Sequence, residues 1–110
     1  MTKDANAGYE TVLLTPELGP GHVTEVRVNG ETLALVNVSQ TYYALDAFCP
    51  VDGTNLARSG QLDGERLVCP GDHSAFELAT GRDGQHGKRL RRWPLRVEGN
   101  EIRVAPPGPA

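Results

Sequence analysis

The chain has 110 residues, of which 38% are apolar, and it carries a formal net charge of −3. This length suits one domain with one modest core, and so mild a charge argues against a protein that binds nucleic acid or an anionic membrane surface. No apolar run approaches the roughly 20 residues of a membrane-spanning helix, and residues 1–8 lack the apolar middle of a secretion signal. We therefore expect a cytoplasmic protein. In that compartment its two cysteines are expected as thiols or metal ligands rather than as a disulfide.

Short strands separated by turn residues dominate both ends of the sequence. Alternating apolar residues run into Asn29-Gly30, the strongest two-residue signal for a β-hairpin, and Gly99-Asn100 marks a second hairpin near the C-terminus. Ser39-Gln40 is interpreted as a further tight turn, and Thr15 followed by Pro16 favours one short helical turn. The pattern predicts six strands, at residues 9–14, 22–28, 32–38, 41–47, 95–98 and 101–104.

No segment has the 3.6-residue apolar period of a long helix, so we predict an all-β fold of antiparallel hairpins that form a small sandwich or barrel. Residues 48–93 differ from the rest, because they hold both cysteines, two of the three histidines and seven of the thirteen glycines. Long irregular loops in a small β domain usually carry its function. The predicted organisation is a flexible N-terminus (1–8), one domain (9–104) and a proline-rich disordered tail (105–110).

Two similar segments begin with Cys-Pro: Cys49-Pro-Val-Asp-Gly-Thr and Cys69-Pro-Gly-Asp-His-Ser. Together with Leu56, Phe76 and Thr80-Gly81 they resemble the Rieske family, specifically the short ferredoxins of bacterial multicomponent oxygenases. That family writes its site as Cys-x-His, a spacer, and Cys-x-x-His. Here seventeen residues separate position 51 from Cys69, which keeps the family's spacing, and the resemblance extends over about residues 9–104.

The resemblance implies a Rieske fold with two loops, 48–57 and 68–77, at one tip. In the family, two thiolates hold one iron of a [2Fe–2S] cluster and two imidazoles hold the other. Cys49 and Cys69 match the thiolate positions, whereas Val51 and Asp72 stand where the two histidines belong. Val51 offers no donor atom, and Asp72 offers a hard carboxylate. His73 stands one residue later, where the family has a tight-turn glycine.

Three states of the site remain open from the sequence. The domain could hold no cluster, or a divergent [2Fe–2S] cluster that uses Cys49 and Cys69 with Asp72, His73 or His86. A mononuclear zinc or iron site could instead use the two cysteines, His73 and a carboxylate. Without a metal, the two cysteines should still lie close enough for a disulfide.

Other polar residues suggest two further interpretations of the same tip. Asp52 could meet Asp72, His73 and His86 there as an acid–base site for catalysis. The basic segment, residues 88–92, could dock an acidic partner or an anion, because the remainder of the chain carries a net charge of −7 once its four cations are set aside from the total of −3. The four cations are Lys88, Arg89, Arg91 and Arg92.

The resemblance implies an electron-transfer or accessory component of an oxidoreductase system, with a large oxygenase or reductase as its partner. The ligand positions predict that it is unable to hold a standard cluster with two cysteines and two histidines. The alternative is a stand-alone small enzyme or ligand-binding protein that reuses the vacated cluster cleft. The chain's small size favours the first interpretation, since a substrate pocket usually needs about 300 Å³ or more.

Overall fold

The computed structural model describes residues 8–71, 73–84 and 87–107. Within these ranges the chain forms short strands, one 3-10 turn at Thr15–Glu17 and one four-residue helix, α1 (Leu56–Ser59). That helix is far too short to cross a membrane, and the described residues contain no longer one. The strands are β1 (Glu10–Leu14), β2 (His22–Val28), β3 (Glu31–Val38), β4 (Thr41–Asp46), β5 (Gln61–Asp63), β6 (Arg66–Val68), β7 (Ala75–Glu77), β8 (Arg92–Trp93), β9 (Leu95–Glu98) and β10 (Glu101–Val104).

All strands pair antiparallel, which confirms the predicted all-β fold class, although the strands form three sheets rather than two. The first sheet has the order β2-β3-β4-β8, and the second has the order β1-β10-β9. Local hairpins build most of each sheet. The distant pairings are those of β8 with β4, where Ala44 lies opposite Trp93, and of β1 with β10.

The two turns of the first sheet are stabilised in different ways. Asn29 and Gly30 have φ values of 54° and 79°, as a tight hairpin turn requires. Ser39 and Gln40 also have positive φ, which non-glycine residues rarely adopt. The buried Asn37 stabilises this second turn, because its Oδ1 accepts from Gln40 N at 2.9 Å while its Nδ2 donates to the carbonyl of Leu18 at 2.8 Å.

The third sheet, β5-β6-β7, lies in the region where the sequence predicted irregular loops. Its strands have only three residues each, and Gly64, with φ of 62°, closes the first hairpin. Asn55 caps α1 by accepting a hydrogen bond from Ala57 N at 2.9 Å. Gly60 ends the helix where a Cβ would lie 2.5 Å from the Leu56 carbonyl oxygen, so no side chain fits there.

The core has two parts, and one of them supports the cysteine loops. One cluster, centred on Trp93, fills the space between the first two sheets. The other contains Phe76, Leu45 and both cysteines. The segment predicted as a disordered tail begins at Ala105, which is buried and whose N–H donates to Pro94 O at 3.0 Å. Residues 1–7 and 108–110 lie outside the described ranges.

Candidate functional site

The two cysteine loops have the same backbone geometry. In each loop the cysteine N–H donates to the carbonyl five residues later, and the cysteine carbonyl accepts from the N–H four residues later. All four distances are between 2.8 and 2.9 Å. The pairs are Cys49–Thr54, Gly53–Cys49, Cys69–Ser74 and His73–Cys69. Each loop is therefore a closed turn that presents its cysteine at a fixed position.

The fourth residue after each cysteine has a left-handed backbone. Gly53 has φ of 79° and His73 has φ of 63°. His73 thus occupies a turn position that favours glycine, as the sequence predicted, and its side chain is exposed. It does not belong to the group of possible metal ligands that converges among the described residues.

Three donor groups do converge at the tip: the thiols of Cys49 and Cys69 and the carboxylate of Asp52. Their ligand atoms all lie within 4.8 Å of one another. The cysteines are 2% and 0% exposed, and no disulfide joins them. Cys69 Sγ lies 3.5 Å from Asp52 Oδ1 and 3.6 Å from Oδ2.

Asp52 was not among the metal ligands predicted from the sequence. A signal was present, since both loops carry an aspartate three residues after the cysteine. The prediction named only Asp72 of that pair as a ligand and placed Asp52 at the tip as a possible acid–base group. What the sequence could not give is the direction of the Asp52 carboxylate, which reaches across to the cysteine of the other loop. Asp72 and His86, both named as candidate ligands or acid–base groups, lie outside the described residues.

Two neighbours hold the Asp52 carboxylate in this position. Thr54 N donates to Oδ1 at 3.0 Å. Gly71 lies so close that a Cβ there would be 2.5 Å from Oδ2. Hydrogen bonds from the backbone N–H and side chain of Thr54 lower the pKa of Asp52, so the carboxylate stays ionised at neutral pH.

The pKa of the Cys49 thiol is shifted in the opposite direction, upwards. Burial raises its pKa from 9.0 to about 11, although the backbone N–H groups of Asp52 and Val51 point at the sulfur and oppose this effect. The neighbouring Cys69 thiol contributes to this increase in pKa. Cys49 is therefore a protonated thiol at neutral pH unless a cation replaces the proton.

The first cysteine loop carries exposed apolar side chains beside the exposed Asp52. Phe48 is 51% exposed and Val51 is 38% exposed, and these two residues flank Cys49 and Pro50 in the first loop. Pro50 and Pro70 are exposed as well. Neighbouring exposed apolar side chains of this kind are typical of a contact surface for another molecule.

The four basic residues predicted as a docking segment divide into two groups. Lys88 and Arg89 are exposed on a hairpin whose arms are bridged at Arg82 and Arg89. Arg91 Nε instead donates to Asp46 Oδ2 at 2.9 Å, and its Nη2 donates to Glu31. The Arg92 guanidinium stacks over the Tyr43 ring at 5.9 Å. The Arg91 and Arg92 side chains therefore bind within the domain.

Asp46 connects this segment to the entry of the first cysteine loop. Its carboxylate accepts from the backbone N–H of Arg91 at 3.1 Å and from Trp93 Nε1 at 2.9 Å, in addition to the Arg91 side chain. Its own backbone N–H donates to Arg91 O at 3.0 Å. Asp46 stands three residues before Cys49, so this network fixes where the loop begins.

Three small antiparallel sheets carry the two cysteines on two matching turns, so the chain is a small all-β domain with a paired-cysteine tip. The family described as "Rieske [2Fe-2S] domain" matches residues 9–94, and the chain belongs to that family. This confirms the resemblance on which the sequence interpretation rested.

Individual relatives agree with the family assignment. The chain is 30% identical over 95 residues to the ferredoxin component of the p-cumate 2,3-dioxygenase system of Pseudomonas putida, covering 82% of this chain and 79% of that protein. The solved ferredoxin of carbazole 1,9a-dioxygenase from Nocardioides aromaticivorans IC177 superposes with a TM-score of 0.83 at 26% identity, over 92% of this chain and all of that one. The chain also superposes on one chain of the solved complex of reduced oxygenase and oxidised ferredoxin in carbazole 1,9a-dioxygenase. The TM-score is 0.80 at 28% identity, over 89% of this chain and 93% of that one.

The standard Rieske cluster does not fit the residues at this tip. Cys49 and Cys69 supply the two thiolates that one iron needs. The first imidazole position holds Val51, whose side chain has no donor atom and is partly exposed to solvent. The second iron would therefore lack at least one of its two imidazole ligands.

Proposed function

We propose that this chain is the electron-transfer or accessory component of an oxidoreductase system, and that it binds a large oxygenase or reductase subunit through the tip of its cysteine loops. The carrying observation is that Phe48 and Val51 are exposed on either side of the buried Cys49 in the first loop. The compartment we propose is the cytoplasm, where thiols such as these stay reduced.

The placement of the apolar residues supports the choice of the tip. The large apolar side chains that stand out as exposed are Leu14, Phe48, Val51 and Val97, and two of these four lie within three residues of each other at Cys49. An aromatic side chain at the centre of a small contact surface commonly supplies much of the binding free energy. The relatives named as ferredoxin components of dioxygenase systems, and the solved oxygenase–ferredoxin complex, suggest the class of partner.

Val51 favours an accessory role over electron transfer through a standard cluster. Electron transfer needs a redox centre at the tip, and the standard one does not fit. An accessory role needs only the surface and the fixed loops. The stand-alone alternative needs an open cleft at the cysteines, yet Asp52 already lies 3.5 Å from Cys69 Sγ.

The test is affinity purification of the tagged chain from its source organism, followed by binding measurements with the purified partner. We expect a large oxygenase or reductase subunit to bind. Phe48→Ser should weaken binding at least tenfold, since truncating a central aromatic contact typically costs more than about 1.4 kcal/mol.

The matched control is Val97→Ser, which removes another large exposed apolar side chain, on β9 and far from the cysteines in sequence. It should leave the affinity unchanged. Equal effects of the two substitutions would contradict docking through the tip. A chain that converts a small molecule by itself, with no large subunit bound, would overturn the proposed function.

A further inference from the structure

We propose that the cysteine loops hold a single Zn²⁺ ion, bound by Cys49 Sγ, Cys69 Sγ and a carboxylate oxygen of Asp52. This site goes beyond the proposed function and does not depend on the identity of the partner. It replaces the two-iron centre that Val51 excludes with a mononuclear centre built from residues that do converge.

The donor set suits zinc. Thiolate sulfur and carboxylate oxygen are ordinary zinc ligands, and structural or catalytic sites with two cysteines are common. Two thiolates and one carboxylate carry three negative charges, which a divalent cation largely neutralises. Zinc accepts such a set with water as the fourth ligand, and Asp52 lies on the exposed side of the group, where water has access.

The distances also match a tetrahedral centre. Zinc–sulfur bonds of about 2.3 Å and zinc–oxygen bonds of about 2.0 Å place a tetrahedral sulfur–oxygen pair about 3.5 Å apart. Cys69 Sγ and Asp52 Oδ1 are 3.5 Å apart in this structure. All the remaining ligand-atom separations are below 4.8 Å, so the site needs only small side-chain rotations to close on an ion.

The protein holds the ligands in place before the ion binds. The paired backbone hydrogen bonds fix both cysteines. Thr54 N holds the Asp52 carboxylate, and the lack of a side chain at Gly71 leaves room for it beside the opposite loop. Asp52 makes this contact across loops although it is an exposed residue that could turn to solvent. An ion at this point would join the two loops and so limit the motion of the first loop, which carries the exposed Phe48 and Val51.

The experiment uses the full-length chain, freed of metal with a chelator under reducing conditions. Zn²⁺ is then titrated against a chromophoric competitor, and Co²⁺ is added separately as a spectroscopic probe, because thiolate ligation gives cobalt an intense charge-transfer absorption. We expect one Zn²⁺ per chain, a thiolate-to-cobalt band, and a rise in the melting temperature on adding Zn²⁺.

Variants identify the ligands. Cys69→Ser should abolish both zinc binding and the cobalt band. Asp52→Asn should weaken zinc binding at least tenfold, and because residue 52 is exposed, the variant should fold normally by circular dichroism. Asp63→Asn, at an exposed aspartate at the end of β5, is the matched control and should bind like the unmodified chain.

Two results would overturn the site. The folded, reduced chain could fail to bind Zn²⁺ in a fixed ratio, or Asp52→Asn could bind it as tightly as the unmodified chain. Neither result would change the outcome of the partner-binding measurements with Phe48→Ser. Failure of the zinc site and failure of the proposed function are therefore distinguishable.

Discussion

Replacing Asp46 with alanine should destabilise the domain by about 3 kcal/mol. The carboxylate accepts four hydrogen bonds, three from Arg91 and one from Trp93 Nε1. The Arg91 side chain is half exposed, so its ion pair contributes only about 0.5 kcal/mol. The lost backbone hydrogen bond costs about 1 kcal/mol. Trp93 is 3% exposed, and leaving its indole N–H without a partner costs a further 1–2 kcal/mol or so.

The assay is urea unfolding followed by tryptophan fluorescence, with Glu31→Ala as the control. Glu31 also binds Arg91 but is about half exposed and contacts no buried donor through that bond, so its loss should cost under about 1 kcal/mol. If Asp46→Ala and Glu31→Ala reduced the free energy of unfolding equally, the reasoning that Asp46 supports the buried Trp93 and the loop entry would be refuted.

Three further predictions concern the cysteine loops. His73→Gly should raise the free energy of unfolding by up to about 1 kcal/mol in a thermal or urea melt, because φ of 63° strains a histidine and not a glycine. Val51→His combined with Asp72→His should give the chain Rieske-type visible absorption after anaerobic cluster assembly, because both imidazole positions are then filled. Alkylation of Cys49 in the metal-free protein, followed by mass spectrometry of the digested peptide, should accelerate about tenfold per pH unit from pH 8 to 10. The thiolate is the reactive form, and its pKa is raised to about 11.

Each of these predictions has a control or a contradicting outcome. His22→Gly, at a histidine on a strand without positive φ, should destabilise the domain, so equal losses at both histidines would argue against strain at His73. Failure of the double-histidine variant to take up iron would show that the loops do not have the family's shape. An alkylation rate for Cys49 that levels off near pH 9 would contradict a raised thiol pKa.

Local signals accounted for much of the fold. Asn29-Gly30 and Gly99-Asn100 fix their hairpins through residues that tolerate positive φ, and the strands predicted on either side of each turn do pair with each other. The third sheet was missed because strands of three residues show too little alternation to be recognised. The pairing of Ala44 with Trp93 was also beyond the sequence, since it joins residues 49 positions apart through packing rather than through a turn.

The candidate site was likewise predicted only in part from the sequence. The spacing of Cys49 and Cys69 predicted two paired loops, and the structure brings their sulfurs together. The role of Asp52 depends on how one loop leans over the other, and this orientation follows from Gly71, whose lack of a side chain leaves room for the carboxylate. The basic segment looked uniform in sequence, but Arg91 faces Asp46, a partner 45 positions away that only the sheet pairing brings near.

We infer from Val51 that this Rieske-family chain does not hold the standard two-iron cluster. The most direct test purifies the untagged protein without air, records its visible spectrum, and measures iron, zinc and acid-labile sulfide. We expect a colourless protein without paired iron and sulfide. Two irons and two sulfides per chain with Rieske-type absorption would contradict it.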